Sequence, residues 1–293
     1  MSVTIRPMRE SDLPAAERLS DASFHELELR TFPRDRPDPE PRSPDGAEAW
    51  LRRGRHILST DPAGCWVAED ETGMLGFATS LTRELMWILG TYAVRPDLQG
   101  QGIGKQLLEA ASTHSRSCLR AMLSASVDPK AVRRYRRAGF SLHPQMLLSG
   151  TVDRSLLPVV EKMREGSAGD IDLMNSVDRQ RRGAAHLVDH EVLIDLFRLT
   201  VTDSTTGSGY VYSDEKGVAL LAASNRRTAQ RLLWEALAGA RPGQRFQVVH
   251  ITAANEWAID VGMEARLDLH TSGYLALRGM EPPTAYLHHG VFL

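Results

Sequence analysis

The sequence predicts an α/β protein of two tandem domains, each a mixed, mostly antiparallel twisted sheet flanked by helices. Three observations lead to this prediction. The 293-residue chain is 42% hydrophobic, enough for one large domain or two of ordinary size. Strand-like apolar runs and amphipathic helical segments are interspersed in both halves. Three glycines, at 100, 102 and 104, lie between an apolar strand and a strong helix.

In the first half, the predicted order is β-α-α-β-β-β-α-β-α-β. "VTIRP" is the first strand, and Ser11 or Asp12 is expected to cap the helix that follows. A loop rich in proline and charge, Thr31 to Gly46, precedes a short helix. Strands "CWVAED", "MLGFATSL" and "MWILGTYAV" come next, then the glycine turn and its helix. Strand "LRAMLSAS", helix "PKAVRRYRRAG" and the strands from "FSLH" to "MLLSGTV" close this half.

The second half repeats this rhythm without the glycines. When "QRLLWEAL" is laid over "KQLLEAAS", residues 225–227 fall on 100–102 and Ala229 falls on Gly104. An internal duplication is the preferred interpretation, and a chance likeness of two unrelated α/β domains is the alternative. The predicted domains are therefore 1–150 and 151–293.

Composition limits the partners. The net charge of −2 gives no general electrostatic reason to expect nucleic acid or an anionic membrane. No apolar run approaches the ~20 residues that a spanning helix needs, and the start "MSVTIRPMRE" lacks the apolar core of a secretion signal. We therefore expect a cytoplasmic protein, with no membrane or nucleic-acid partner. Cys65 and Cys118 are expected in strands, without a disulfide.

The glycine turn predicts a phosphate site. Successive glycines let several backbone N–H groups point into one concavity, and the helix adds its unpaired amides and dipole. A dinucleotide fingerprint would need G-x-G-x-x-G, and the spacing here is G-x-G-x-G. The P-loop pattern fails because Lys105 is not followed by Ser or Thr in the required frame. A purely structural glycine turn is the alternative.

These residues resemble the GNAT superfamily of acyl-CoA N-acyltransferases. Gln99 to Gly104 matches its Q/R-x-x-G-x-G/A signature, and "DPKAVRRYRRAGF" resembles its N-x-x-A-x-x-x-Y-x-x-x-G-F block. "TIRPMRESDLPAAERL" is similar to the family's opening strand and helix. The resemblance covers residues 1 to about 150. Beyond it the chain is similar to tandem GNAT-like proteins with a degenerate C-terminal copy.

The resemblance implies which residues bind acetyl-CoA and which residue is catalytic. The pyrophosphate of acetyl-CoA would bind the amides of the turn, and the pantetheine arm would pair with the strand backbone, whose amide would polarise the thioester carbonyl. Tyr135 would protonate the leaving thiolate as the catalytic residue. Asp128 replaces the family's usual Asn; it can cap its helix, but its charge could repel a phosphate. The implied cofactor-binding residues are Ala93, Val94, Gln99, Gly100, Gln101, Gly102, Ile103, Gly104, Lys105 and Asp128.

The family's base is missing. The strand position that often carries a glutamate is Gly90, and Glu84 would lie about 20 Å from it along the strand. We therefore exclude Glu84. Deprotonation of the acceptor amine would fall to an ordered water, to a group of the first helix, or to nothing if the amine arrives neutral. His25, Glu26 and Glu28 are the candidates on that helix.

The predicted function is an acetyl-CoA-dependent N-acetyltransferase that acts on a primary amine of a small molecule or peptide, without a metal. The alternatives are a non-catalytic acyl-CoA-binding or sensing module, and an enzyme whose substrate pocket lies in the C-terminal half. His186 and His190 are expected on a solvated helix face rather than at a metal. Gly104→Glu should abolish acetyl-CoA binding, whereas Ala229→Glu should have little effect.

Overall fold

The computed structural model describes residues 3–31 and 39–293. Two compact units are present. Unit 1 is made of the described residues up to 121 together with 127–138, and unit 2 is made of 122–126 and 139–293. These units reflect compactness, whereas the predicted domains 1–150 and 151–293 concern sequence copies and stay a prediction. The predicted acceptor loop, Thr31 to Gly46, lies partly outside the described residues.

Unit 1 contains four α-helices and five strands among its described residues, in the order expected from the sequence. Strand β5 begins in this unit, and its residues from 122 onward belong to unit 2. The elements are β1 (Thr4–Pro7), α1 (Leu13–Thr31), α2 (Pro44–Thr60), β2 (Cys65–Asp70), β3 (Gly73–Arg83), β4 (Met86–Val94), α3 (Ile103–Ser112), β5 (Arg120–Ala125) and α4 (Pro129–Arg137).

The first four strands of unit 1 pair antiparallel in chain order. Helix α3 packs on β2 and β3 through one apolar face. Its buried residues Ile103, Leu107, Leu108 and Ala111 recur at helical spacing, which is why this segment is helical and faces the sheet. The core of unit 1 therefore fixes the start of α3 beside the end of β4.

Helix α1 begins differently from the prediction. Its first turn is a 3-10 helix, Glu10–Asp12, whose N-cap is Arg9. The Asp12 carboxylate accepts from the Arg9 amide at 2.7 Å and pairs with Arg6 at 2.7 Å. The expectation of a cap at Ser11 was wrong, because the tighter first turn moves the cap upstream and leaves Asp12 to act from inside the turn.

A buried ion pair joins the end of α2 to β3. The Arg83 guanidinium lies 2.7 Å from the Asp61 carboxylate, and both side chains are 5% exposed. His114 and the Thr82 amide also contact this carboxylate, at 3.1 and 2.8 Å. Burial acts to raise the pKa of Asp61, but the hydrogen bond from His114 and the charge of Arg83 lower it to about 2.

Replacing Asp61 with asparagine should lower the free energy of unfolding by about 3–5 kcal/mol, because Arg83 would stay buried without its counter-charge. In the exposed Arg95–Asp97 pair, Asp97→Asn should change the free energy of unfolding far less, because water already solvates both charges. Because the pKa of Asp61 is depressed below 3.8, its stabilisation is complete above that pH and is lost as the pH falls toward about 2. Urea unfolding of the two variants measures the difference, and equal losses would contradict the assignment.

Unit 2 follows with the remaining elements. Strands β7 and β8 and helices α5 and α6 occupy a segment that the sequence patterns left unassigned. The elements are β6 (Ser141–Thr151), β7 (Arg164–Glu165), α5 (Ile171–Arg181), α6 (Asp189–Leu196), β8 (Arg198–Ser204), β9 (Gly207–Ser213), β10 (Gly217–Ala223), α7 (Arg226–Ala238), β11 (Arg245–Thr252), α8 (Trp257–Glu264), β12 (Asp268–Arg278) and β13 (Tyr286–Leu287).

The sheet of unit 2 is mixed. Its strand order is β5, β12, β6, β11, β10, β9, β8 and β7. Strands β10 and β11 run parallel and pair at Gly217–Gln247 and Val218–Val248, near the start of each strand. Further along, β10 pairs antiparallel with β13 instead. The core lies under α7, whose Leu232, Leu233 and Leu237 are fully buried.

The predicted fold class is confirmed as an α/β fold with mixed sheets flanked by helices. Cys118 precedes β5 rather than lying within it, which corrects the strand expected there. Among the described residues, none of the helices combines the length and the hydropathy that crossing a bilayer requires.

Candidate active site

The turn between β4 and α3 exposes bare backbone at a helix N-terminus. Gly100 and Gly102 have φ values of +89° and +94°, a region that side chains rarely allow. Gly102 occupies the N-cap position of α3, and a Cβ at either glycine would meet no atom within 4 Å. Backbone conformation therefore requires these two glycines, and the space over them is open. With the first amides of α3, the turn can hold an anion.

Gly104 is required for another reason. A Cβ at this position would overlap the hydroxyl of Tyr92, which reaches the start of α3 from β4. The Gly104→Glu expectation is therefore wrong in its reason, because the new side chain would first displace Tyr92 rather than enter the open space over the turn. Gly102 is the better position at which to test the anion site, because a Cβ there would point into the open space over the turn.

The other predicted turn residues have mixed surroundings. The side-chain amide of Gln99 donates from Nε2 to the Val94 carbonyl at 3.3 Å and so closes the turn onto the end of β4. Ala93 is buried and pairs with β3. Lys105 lies 3.7 Å from Glu109, and both side chains are exposed. The side chain of Gln101 is exposed, whereas that of Ile103 is buried.

Strand β4 carries a bulge at the position of the missing base. The register with β3 shifts between Thr79 and Ser80, so Gly90 has no partner on β3. Glu84 lies in the turn before β4, with a left-handed φ of 53°. The exclusion of Glu84 as a base therefore agrees with its place at the far end of the strand.

Tyr135 lies on α4 and is 6% exposed. Its ring meets that of Tyr92 edge-on, with centroids 6.4 Å apart. Burial raises the pKa of Tyr135, and neighbouring Tyr92 adds to the rise, so the phenol keeps its proton at neutral pH. Asp128 caps α4 as predicted, accepting from the Lys130 amide at 2.7 Å. Tyr92 thus touches both Tyr135 and the glycine turn.

Tyr92 is a neighbour that the sequence patterns missed, whereas Arg134 belongs to an arginine-rich stretch, 133–137, that stands out in the sequence. The Nη1 atom of Arg134 is buried and has no hydrogen-bond partner among the described residues. Burial raises the pKa of Tyr92 to about 12, against the opposing charge of Arg134. The signal was present, because Tyr92 lies two residues before Val94 and Arg134 directly precedes Tyr135.

The base candidates lie on α1, which contacts the end of β4. The Ser23 hydroxyl is 3.4 Å from the Val94 carbonyl. Two residues further along, His25 has a buried Nδ1 without a partner among the described residues. Partial burial raises the pKa of Glu28, and His25 opposes that rise. Glu26 is exposed. No residue is singled out, and the base stays a hypothesis.

In unit 2, side chains fill the turn between β10 and α7. Asn225 caps α7: its Oδ1 accepts from the Thr228 amide at 2.9 Å, and its Nδ2 donates to the Thr206 carbonyl at 2.9 Å. Ala229 is fully buried in the core. Ala229→Glu is therefore unsuited as the control for acetyl-CoA binding, because a carboxylate forced among leucines would destabilise unit 2.

The segment around β13 takes an edge of β10. The Ala223 amide donates to the Ala285 carbonyl at 3.0 Å. The side chain of Asn255 anchors this segment, donating to the Pro283 carbonyl at 2.9 Å and accepting from the Tyr286 amide at 3.1 Å. The segment is buried from Ala285 onward, so it is part of the fold of unit 2.

The histidines expected on a solvated helix face are fully buried, which corrects that expectation. His186 Nδ1 and His190 Nε2 lie 2.7 and 3.1 Å from the same Asp178 oxygen. The Tyr210 hydroxyl donates to the other oxygen, and the Tyr212 hydroxyl lies 3.2 Å from His190 Nδ1. His186 precedes α6, and packing against α5 and β9 removes both rings from solvent.

This cluster also resembles a metal site in composition. Asp178, His186 and His190 offer possible ligand atoms that all lie within 4.8 Å of one another. Among the described residues, these three form a group that could hold a metal ion. Burial acts to raise the pKa of Asp178, but the two histidines lower it. Burial lowers the pKa of His186 to about 4. Hydrogen bonds account for both carboxylate oxygens, whereas His186 Nε2 is buried with no hydrogen-bond partner among the described residues.

Comparisons with known proteins agree with this picture. Residues 61–142 match the acetyltransferase (GNAT) domain family. Mycothiol acetyltransferase from Propionibacterium freudenreichii subsp. shermanii is 37% identical over 93 residues, which are 28% of this chain and 29% of that protein. The chain thus matches less than a third of the length of this curated relative.

Two solved structures share the fold over nearly the whole chain. A candidate acetyltransferase from Pyrococcus horikoshii is 17% identical, with a TM-score of 0.74 and coverage of 99% of this chain and 95% of its own. A GCN5-related N-acetyltransferase from Sphaerobacter thermophilus is 16% identical, with a TM-score of 0.59 and coverage of 99% and 98%. At these identities the likeness concerns the fold alone.

All the implied site residues, from Ala93 to Tyr135, lie inside the matched segment. The family match and the geometry of the turn point the same way. Residues 61–142 therefore match an acetyltransferase domain of the GNAT family, and this match supports an acyltransferase.

Proposed function

We propose that this protein is an N-acetyltransferase that moves the acetyl group of acetyl-CoA to a primary amine of a small molecule or peptide. One observation carries the proposal: the open glycine turn at the start of α3 is joined, through Tyr92, to the buried phenol of Tyr135. The turn offers amides to a pyrophosphate, and the phenol offers a proton to a leaving thiolate. An anion site and an acid are thus adjacent within unit 1.

The reaction proposed is a direct transfer. The neutral amine nitrogen attacks the thioester carbonyl, and an amide N–H of β4 stabilises the oxyanion that develops. As the carbon–sulfur bond breaks, the thiolate takes the proton of Tyr135, and the new amide loses its proton to water or to a base. The raised pKa of Tyr135 keeps the proton on the phenol at neutral pH, so the proton is available when the leaving thiolate develops beside it, and the tyrosinate is then reprotonated from water.

A non-catalytic acyl-CoA-binding module is the second candidate, and Gly90 favours it. A carboxylate at this bulge could have accepted the amine's proton, and glycine cannot. A thiol-release assay with acetyl-CoA separates the two candidates when it is run against a panel of amines, amino acids, aminoglycosides and peptides. Amine-dependent release with an acetylated product supports the enzyme, and binding without release supports the module.

The acceptor panel should be broad. The match to a mycothiol acetyltransferase adds mycothiol-related amines to it, although that match spans 29% of the relative. The described part of the acceptor loop includes Arg42, which pairs with Glu17 at 2.6 Å. Our expectation of a cytoplasmic protein without nucleic-acid or membrane partners stays a prediction.

The tandem arrangement is also part of the proposal. In the second half of the chain, the elements follow the order β8-β9-β10-α7-β11-α8-β12. This order repeats the earlier order β2-β3-β4-α3-β5-α4-β6. This repetition supports a GNAT-like copy in 151–293. The copy is inferred to be degenerate because Asn225 fills its turn and β13 takes the edge of β10 that a pantetheine arm would need.

Each chain is therefore expected to bind one molecule of acetyl-CoA. Only unit 1 combines left-handed glycines with open space at the start of its helix, whereas the matching amide in unit 2 is taken by Asn225. Calorimetric titration of the full chain should give a stoichiometry of one. Two sites per chain would refute the degenerate copy.

A further inference from the structure

Tyr92 links two parts of the candidate site in unit 1. It lies on β4, where it pairs with Ala78 of β3, and its side chain is partly buried. Its hydroxyl lies at the start of α3, in the space that a Cβ at Gly104 would fill. Its ring meets that of Tyr135 on α4, with centroids 6.4 Å apart and ring planes at 62°. One side chain therefore packs against both helices that the candidate site uses.

The contact with Tyr92 explains why residue 104 is a glycine. Gly104 is not among the glycines with a left-handed φ, unlike Gly100 and Gly102, so its backbone conformation does not require glycine. Alanine favours a helix more than glycine does. The obstacle to a side chain is the Tyr92 hydroxyl, which a Cβ would overlap. Gly104 and Tyr92 are therefore a matched pair, in which the glycine leaves the space that the tyrosine fills.

The ring of Tyr92 restricts the orientation of the Tyr135 phenol. Two aromatic rings in edge-on contact prefer a defined mutual geometry. Tyr135 is buried, so its ring cannot leave this contact by turning into solvent. Proton transfer needs the phenol oxygen within hydrogen-bond distance of the atom that it protonates, and a misplacement of about 1 Å can lower a rate about 100-fold. Tyr92 thus constrains a group whose position the proposed reaction depends on.

We propose that Tyr92 is a positioning residue: its ring holds the Tyr135 phenol in place for proton transfer, and Gly104 leaves the space that Tyr92 requires. This inference rests on the proposed function, because the phenol has this task only in an acetyl transfer. The role belongs to the ring rather than to the hydroxyl of Tyr92. A phenylalanine at position 92 should therefore fulfil it, and a leucine should not.

The first test compares two substitutions at position 92 of the full chain, by thiol release with the best amine of the acceptor panel. Tyr92→Leu should lower kcat about 10- to 100-fold, because the Tyr135 ring loses its neighbour. Tyr92→Phe should keep a kcat close to that of the wild type. Calorimetry should show less than about a threefold change in acetyl-CoA affinity for both variants, and its stoichiometry gives the folded fraction by which kcat is normalised.

Two outcomes of this comparison would overturn the proposal. A wild-type kcat in Tyr92→Leu would show that the ring is not needed. Equal losses in Tyr92→Phe and Tyr92→Leu would assign the effect to the hydroxyl and so remove the ring contact as its cause.

A double variant shows whether Tyr92 acts through Tyr135. Residues that act as a unit have non-additive effects on kcat. Once Tyr135→Phe has removed the acidic proton, adding Tyr92→Leu should cause no further fall in kcat. A general disturbance of the fold would instead lower kcat by the same factor in both backgrounds. That result, or full turnover by Tyr135→Phe alone, would contradict the positioning role.

Gly104→Ala tests the matched pair and keeps the proposal testable if Tyr92→Leu does not fold. The added methyl group would overlap the Tyr92 hydroxyl and displace the ring, so kcat should fall. Combining it with Tyr92→Phe removes that oxygen and leaves the ring carbon Cζ 3.2 Å from the methyl group, so most of the lost kcat should return. An unchanged kcat in Gly104→Ala, or no recovery in the double variant, would refute the pairing.

Trp66→Leu is the matched control for Tyr92→Leu. It removes a partly buried aromatic ring from β2, which β3 separates from β4, and should leave kcat close to that of the wild type. An equal loss in this control would refute a specific role of Tyr92. The proposed function fails if the wild type acetylates no amine of the panel. The inference alone fails if the wild type is active, Tyr135→Phe is slow and Tyr92→Leu keeps full activity.

Discussion

Gly102→Glu is expected to abolish acetyl-CoA binding, with an affinity loss of at least ~100-fold. Gly102 is the N-cap residue of α3, and its Cβ direction opens into free space over the turn. A glutamate there would put a carboxylate against the pyrophosphate and cover the amides that should bind it. Calorimetric titration of the full chain with acetyl-CoA measures the loss.

Gly73→Glu is the matched control for Gly102→Glu. Gly73 also has a left-handed φ, of +115°, and a Cβ there would meet no atom within 4 Å, but it begins β3 at the hairpin with β2. Both substitutions therefore carry the same kind of backbone strain and add the same charge. Gly73→Glu should bind acetyl-CoA like the wild type. Normal binding by Gly102→Glu would remove the glycine turn from the site.

Tyr135→Phe should lower kcat by ~100-fold or more and leave the affinity for acetyl-CoA nearly unchanged. The phenylalanine ring can keep the edge-on contact with Tyr92, so the pocket wall is preserved and only the acidic proton is lost. Steady-state kinetics with the best amine from the acceptor panel, together with calorimetry, separate the two effects. Full turnover by the variant would exclude Tyr135 as the acid.

The pH dependence has a defined direction. The pKa of Tyr135 is raised by burial, so the phenol holds its proton well beyond neutral pH and would lose it only as the pH rises through that elevated value. No fall in kcat from this group is therefore expected between pH 6 and 9.

Much of the site was predictable because its demands are local. Gly100 and Gly102 adopt left-handed φ values that the sequence spacing already implied, and a helix starts directly after them. The predicted cap of α4 at Asp128 depends on only two neighbouring residues and is confirmed. The GNAT signature rests on these short-range requirements, which is why three short stretches were enough to recognise the domain.

Long-range packing decided the rest. The sequence placed Gly104 with the other glycines, but its cause is a hydroxyl on β4, and only the pairing of β4 beneath α3 brings Tyr92 there. The same packing separates Arg134 from its exposed neighbours. His186 and His190 have a polar local sequence, yet they are buried because α5 and β9 supply an aspartate and tyrosines as partners.

The amino-acid sequence by itself determined the order of the elements up to β6, the glycine turn and the resemblance to a known family, since these depend on backbone preferences and on spacing along a few residues. Tertiary structure alone decided which buried groups have partners and which edge of β10 is free, because those outcomes depend on contacts between residues far apart in the chain. Tyr92 beside Gly104, and Ala223 paired with Ala285, are such contacts.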